Sequence, residues 1–218
     1  MIERLKRRLR GVEALDAWAA VAILIREEAD DYETLLVRRA VILGDPWSGD
    51  MAFPGGKRAR DDRTLRDTVI REVQEETGID LDSLTYIGGL PVMFSSIKPD
   101  RDILPIVYLY EGRPEIRLNP ELTAYRWVHL KELRESRTTA KVKEWEGEVF
   151  KLGDDVIWGL TYKMLNKLLE ILDEVKPRAF FKALATSMGC SPIVAPAPLR
   201  AFILLSAVPA APCIMAPA

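Results

Sequence analysis

The sequence is poor in the residues on which much enzyme chemistry depends. It has a single histidine, His129, and two cysteines, Cys190 and Cys213. A Ser-His-Asp or Cys-His mechanism would have to use His129, and nothing around it supplies the partners. A zinc site built from histidine and cysteine lacks its donors. Both cysteines fall in the last 30 residues, without a CxxC spacing or a disulfide framework. That usage suits a reducing cytosol.

An excess of charge of one sign is also missing. The 218 residues carry 31 Lys+Arg against 33 Asp+Glu, a net charge of -2. This gives no general reason to expect nucleic acid as a partner. The N-terminus, MIERLKRRLRGVEALD, is charged and helical in pattern and lacks the apolar h-region of a secretory signal, so a cytoplasmic location is expected. A clean apolar run of about 20 residues is absent too, so no membrane span is expected. The nearest approach, 201–218, is interrupted by Pro209, Pro212 and Pro217. Residues 178–218 hold no Asp or Glu and six of the chain's 14 prolines. They are read as a tail, either poorly ordered or docked on a partner subunit, which leaves a homodimer open.

What is present is a mixture of short strands and helices. WAAVAILIRE (18–27) is rich in Val and Ile and reads as a buried strand. ETLLVRRA (33–40) follows as a second, after a turn at EEADDY. VILGDPWSGD (41–50) reads as an exposed loop, and MAFPGG as the entry to a tight turn. Asp61 or Asp62 is a candidate cap for a helix from about Leu65 to Thr77, with Gly78 just past its end. Further strands are expected at 84–94, 103–112 and 125–130, a helical turn at 131–136, and a hairpin over 141–153 turning near Glu146-Gly147. Residues 156–175 carry the longest helical pattern. Strict βαβ alternation is missing, which argues for an α+β fold or a mixed-sheet sandwich with helices outside. The expected plan is an N-terminal helix at 1–16, one domain at 17–176 and the tail at 177–218.

One helix crowds its acidic residues. Glu72, Glu75 and Glu76 stand at i, i+3 and i+4, which places them on one face. Like charges so arranged repel unless something offsets them. A solvated acidic face is the simpler reading of the Glu75-Glu76 pair alone. A hard divalent cation is the other, because Mg²⁺ takes oxygen ligands from a few carboxylates plus substrate phosphate. The neighbours favour the cation. Pro54-Gly55-Gly56 makes a turn where backbone can approach a ligand closely, and a carbonyl there can join the carboxylates. Arg71 and Glu75, at i and i+4, can pair.

Taken as a unit, FPGGKRARDDRTLRDTVIREVQEETGI (53–79) resembles the Nudix hydrolase signature, G-x5-E-x7-R-E-U-x-E-E-x-G-U with U a bulky apolar residue. REVQEETGI (71–79) matches its second half at every position. The first half departs from it: Gly56 and Arg71 are 15 apart, one more than the pattern, and Asp61 and Asp62 stand where a glutamate is usual. The longer spacing with Asp is similar to the coenzyme A diphosphatase-like branch. LLVRRAVILGDPWSGDMAFPGGK (35–57) and IWGLTYKML (157–165) also resemble segments of that branch.

The resemblance implies a Nudix-like α/β/α sandwich with a mixed β-sheet. It implies hydrolysis of a nucleoside diphosphate linked to another moiety, with coenzyme A or an acyl derivative preferred. The alternatives are ADP-ribose, nucleoside triphosphates, or a catalytically silent binding module. It further implies Mg²⁺ or Mn²⁺ held by Glu72, Glu75, Glu76 and the Gly55 carbonyl, with Arg71 orienting a carboxylate. Glu75 and Arg71 are the expected catalytic residues, and Glu144, Glu146 and Glu148 are further candidates for the general base. Arg38, Arg39 and Lys57 are candidate phosphate contacts. Trp47 and Phe94 are candidates for stacking on a base.

Overall fold

The computed structural model describes residues 2–9, 11–12, 16–28, 31–95, 100–112 and 114–175. The expected tail at 177–218 lies outside them. In chain order the elements are α1 (Ile2–Arg8), β1 (Ala19–Glu28), β2 (Asp31–Arg39), β3 (Met51–Ala52), β4 (Gly55–Lys57), α2 (Leu65–Thr77), β5 (Thr85–Gly89), β6 (Met93–Phe94) and β7 (Asp102–Leu109). Then come β8 (Leu122–His129), α3 (Leu130–Glu135), β9 (Arg137–Val142), β10 (Trp145–Leu152), β11 (Asp155–Ile157) and α4 (Gly159–Val175).

Strand β1 is buried along nearly its whole length, which explains its unbroken apolar run. It pairs antiparallel with β2 and parallel with β7, so the main sheet is mixed. The sheet runs β3-β2-β1-β7-β5, with β8 also on β2, β4 on β1 and β6 on β7. Alternate side chains feed two cores. Ala20, Ala22 and Leu24 pack with Leu65, Val69 and Val73 of α2. Ile23 and Ile25 belong to the opposite core with Leu165, Leu168, Leu169 and Leu172 of α4 and Leu5 of α1. Helices therefore cover both faces of the sheet, an α/β/α sandwich of the α+β class. Each fully buried Leu, Ile or Val stabilises it by roughly 1.5–3 kcal/mol.

Several expectations need correction. Helix α1 ends at Arg8, and residues 13–15 of the expected 1–16 helix lie outside the described residues. The 84–94 strand is two strands, β5 and β6, because Pro91 cannot donate to a ladder. Helix α4 starts at Gly159, and the residues before it form β11 on a second sheet, β11-β10-β9. The β9–β10 turn falls at Lys143-Glu144, not at Glu146-Gly147.

Candidate active site

Helix α2 is held at both ends by local chemistry. Thr64, not Asp61 or Asp62, is its cap: the Thr64 hydroxyl accepts the Asp67 N–H at 3.1 Å, and the Asp67 carboxylate accepts the Thr64 N–H at 2.9 Å. Gly78 closes the helix at φ 72°, its N–H donating to the Gln74 carbonyl. Burying Leu65, Val69 and Val73 leaves Arg71, Glu72 and Glu75 at least partly exposed, whereas Glu76 is only 6% exposed.

The glutamates meet the Gly55-Gly56 turn. Glu76 Oε2 accepts the Gly55 N–H at 2.8 Å. The Glu72 carboxylate occupies the space a Cβ on Gly56 would need, 2.3 Å from that position. A Cβ on Gly55 would stand 2.4 Å from the Ala20 carbonyl oxygen, so Gly55 is held to glycine by main chain and Gly56 by the Glu72 carboxylate. The register of β4 on β1, Val21 with Gly55 and Ala20 with Gly56, fixes the turn against the centre of the sheet. Burial pushes Glu76 up to about 7, the charges of Glu72 and Glu121 adding to the effect and Arg39 opposing it.

Arg71 organises the other side. It donates to Glu72 Oε1 at 2.8 Å and Glu75 Oε2 at 3.4 Å, and its Nε and Nη2 reach Asp62 at 3.2 and 3.0 Å. Asp62 in turn accepts the Ala59 N–H at 2.8 Å. The Arg71 guanidinium holds the Asp62 carboxyl down at about 2, and the same pairing raises Arg71.

A cavity of about 900 Å³ opens beside the turn, walled by Gly55, Gly56 and Lys57. None of the three glutamates is part of its wall; they border the turn from the α2 side. Four of the chain's five tryptophans, Trp18, Trp47, Trp145 and Trp158, do line it. Trp145 and Trp158 stack at 5.6 Å, and Lys143 Nζ lies 5.4 Å from the Trp158 ring while bonding the Pro46 carbonyl and Asp50. Lys143 thereby ties the β9–β10 turn to the loop that carries Trp47.

Residues 16–151 match the family model for the NUDIX domain. The chain belongs to the Nudix family. Among similar proteins, "Nudix hydrolase 15, mitochondrial" of Arabidopsis thaliana is 29% identical over 178 residues, covering 75% of this chain. The chain spans 61% of that relative's length. "Uncharacterized Nudix hydrolase NudL" of Yersinia pestis (strain Pestoides F) is 31% identical over 147 residues, covering 62% of this chain and 70% of the relative. The crystal structure of the Nudix hydrolase RenU from M. smegmatis shares the fold at TM-score 0.53 and 15% identity, over 74% of this chain and 88% of that one.

With Nudix membership shown, the expected residues divide into those gathered and those not. Glu72, Glu76, Gly55 and Arg71 come together at the turn; Glu75 joins through Arg71 and is otherwise exposed. Of the two neighbouring arginines, Arg39 lines the cavity and pairs with Asp45 at 2.8 Å, and its charge acts on Glu76. Arg38 does not line the cavity; its guanidinium is engaged by Asp155 and the Gly49 carbonyl. The alternation of side chains along a strand separates the two. Glu148 lines the cavity; Glu144 and Glu146, likewise exposed, do not. Trp47 lines it; Phe94 is 61% exposed and points away, its neighbours Met93 and Ser95 facing in.

The sequence reading missed Asp62 as the anchor of Arg71, Glu121 beside Glu76, and the walls at Trp18, Arg101 and Trp145. The Asp61-Asp62 pair inside the box was a usable signal. The others meet only through strand register and loop contacts.

The donor set suits a hard divalent cation. Among the described residues no three His, Cys, Asp or Glu side chains already converge at ligand spacing. Yet Glu76 is a buried carboxylate with two carboxylates nearby and one backbone N–H on it. The cation whose charge acts on it, Arg39, is itself paired with Asp45, and oxygen donors of this kind match Mg²⁺ or Mn²⁺.

Proposed function

We propose that this Nudix protein is a hydrolase of the diphosphate linkage in nucleoside diphosphate derivatives, with coenzyme A or an acyl-coenzyme A as the preferred substrate. The observation that carries the reading is the pair Glu72 and Glu76 packed against Gly55 and Gly56, the two residues that also wall the large cavity. Glu72, Glu76, Glu75 and the Gly55 carbonyl would hold the metal. When bound, a divalent cation neutralises diphosphate charge, polarises phosphorus and lowers the pKa of water.

The remaining work falls to side chains in place. Arg71, fixed by Asp62, holds Glu72 and Glu75 in position. Arg39 lines the cavity beside the turn and supplies positive charge to the diphosphate, and Lys57, also on the wall, supplies it to a further phosphate of the substrate. Glu148, on the cavity wall, would take a proton from water. The water oxygen bonds to one phosphorus, the bridging P–O bond breaks, and the released oxygen leaves on the other phosphate. From coenzyme A the products are 4′-phosphopantetheine and 3′,5′-ADP.

Coenzyme A is favoured by the lengthened Asp-containing box, by the IWGLT segment, and by a cavity that combines an apolar wall with cations. Met51, Phe53, Met93, Ile103 and Leu160 suit an uncharged arm. Incubation with Mg²⁺ or Mn²⁺ and separate samples of coenzyme A, ADP-ribose and ATP, followed by phosphorus NMR, tests the proposal. Cleavage of ADP-ribose or ATP without coenzyme A would overturn the substrate and keep the chemistry. No cleavage of any would leave a binding module.

A further inference from the structure

Most cations near the cavity are already committed. Arg39 pairs with Asp45, Lys143 with Asp50 and Lys167 with Glu170. Arg101 and Lys57 differ. Both line the cavity, and among the described residues neither forms an ion pair. Instead both rest on one indole: the Arg101 guanidinium lies 4.6 Å from the Trp18 ring centroid and Lys57 Nζ lies 5.8 Å from it. Arg101 is also 5.8 Å from the Trp47 ring.

The backbone explains why these residues meet. Ala19 of β1 pairs with Lys57 of β4 on one side and with Ile103 of β7 on the other. The start of β1, the end of β4 and the start of β7 therefore lie side by side, bringing Trp18, Lys57 and Arg101 to one edge. Asp102 Oδ1 accepts the Trp18 N–H at 2.8 Å, which fixes the platform.

Two positive groups on one aromatic ring repel each other. Ring contacts return about 0.5–1 kcal/mol each where water has access, and among the described residues no carboxylate pairs with either group. A dianionic phosphate monoester would. A guanidinium stacked on a ring keeps its edge N–H groups for bidentate bonding to phosphate, and a lysine adds a point charge. The diphosphate itself belongs at the Gly55-Gly56 turn, beside the glutamates.

We infer that Arg101 and Lys57, supported by Trp18 and Trp47, form a second phosphate site that recognises a phosphate monoester on the nucleoside half of the substrate. The inference rests on the cavity being the nucleotide site of the proposed diphosphatase. It names the substrate class more narrowly: nucleoside diphosphate derivatives that carry an additional ribose phosphate.

The test compares adenosine 3′,5′-bisphosphate with adenosine 5′-monophosphate, titrated into the full chain without metal and followed by calorimetry and tryptophan fluorescence. The wild type should bind the bisphosphate at least about tenfold more tightly, the scale of charge-assisted bonds to one phosphate. Arg101→Gln should remove most of that preference while changing monophosphate affinity less than about threefold, and Arg101→Lys should restore part of it. Lys57→Gln should narrow the preference by a smaller factor. No preference in the wild type, an unchanged preference in Arg101→Gln, or equal weakening of both ligands overturns the inference. A preference lost in Arg101→Gln, in a protein that cleaves ADP-ribose but not coenzyme A, would sink the proposed substrate and leave the phosphate site standing.

Discussion

Glu76 Oε2 accepts a hydrogen bond from the Gly55 backbone N–H at 2.8 Å. This single bond joins the acidic face of α2 to the turn that walls the cavity, and it buries a carboxylate to do so. Burial without a cation is costly for a charged group. A structural role alone would be served equally well by an uncharged acceptor.

Glu76→Gln separates the two roles. Its amide oxygen can still accept from Gly55, and no charge is left to desolvate. Without metal the variant should therefore unfold at a higher temperature than the wild type. Mg²⁺ should raise the wild-type melting temperature and leave the variant's unchanged. Diphosphate hydrolysis should fall at least about a hundredfold. Thermal scans with and without Mg²⁺, with initial rates, check this. A variant that keeps both the metal-induced shift and the rate would remove Glu76 from the metal site.

Asp62→Asn tests the anchor of Arg71. The Asp62 carboxyl is held at about 2, below its ordinary 3.8, chiefly by the Arg71 guanidinium. A depressed carboxyl contributes stability above its unfolded value and loses it as pH falls through the folded one. The wild type should exceed the variant in denaturant stability at pH 6, and the gap should close between about pH 4 and pH 2. Activity at neutral pH should drop roughly tenfold or more, because Arg71 no longer holds Glu72 firmly. An unchanged gap across that pH window would mean that Asp62 is not the group paired in solution.

The helix was legible in the sequence because its signals are local: apolar residues at helical spacing, a glycine past the end, and three glutamates on one face. Its cap was not. Asp62 and Thr64 are both good caps, and what decides between them is Arg71, nine residues away, which claims the Asp62 carboxylate. Gly147 misled for a similar reason. A glycine in a hairpin suggests the turn, yet Gly147 lies within β10 and leaves room for the Trp145 ring, whose Cζ2 stands 2.5 Å from where its Cβ would be. The turn falls instead at Lys143, at φ 55°, whose side chain is tied to Pro46 and Asp50. The carboxylate face could be read from spacing within one element. The cavity walls could not, since Trp18, Trp47, Arg101 and Trp145 meet only through strand register and loop contacts.

The proposed general base is separated from its alternatives within one hairpin. Glu148 lines the cavity and Glu144 and Glu146 do not, although all three are exposed. Glu148→Gln should lower kcat about a hundredfold, within the range for loss of a general base, with little change in KM. Glu144→Gln and Glu146→Gln should remain close to wild type. Steady-state kinetics on the cleaved substrate decide it. A normal kcat in Glu148→Gln would return the role to Glu75.

Gly55→Ala and Gly56→Ala should fail in opposite ways although the residues are adjacent. A Cβ on Gly55 would stand 2.4 Å from the Ala20 carbonyl oxygen and 2.6 Å from Val21 Cα, and the backbone there has φ 137°. Those neighbours are main chain in the middle of the sheet and cannot step aside. Overpacking of this kind costs about 1–3 kcal/mol or more, and the left-handed backbone adds to it. Gly55→Ala should lose stability outright. A Cβ on Gly56 would meet only the Glu72 carboxylate, at 2.3–2.8 Å. That is the mobile end of a side chain, so it can swing away at little cost to folding. Its new position, however, takes an oxygen donor off the turn. Gly56→Ala should therefore melt within a few degrees of the wild type yet hydrolyse as poorly as Glu72→Gln. Thermal unfolding and Mg²⁺-dependent rates for both variants test the pair. Full activity in Gly56→Ala would show that hydrolysis does not need Glu72 at the turn, and wild-type stability in Gly55→Ala would show that the turn can open away from β1.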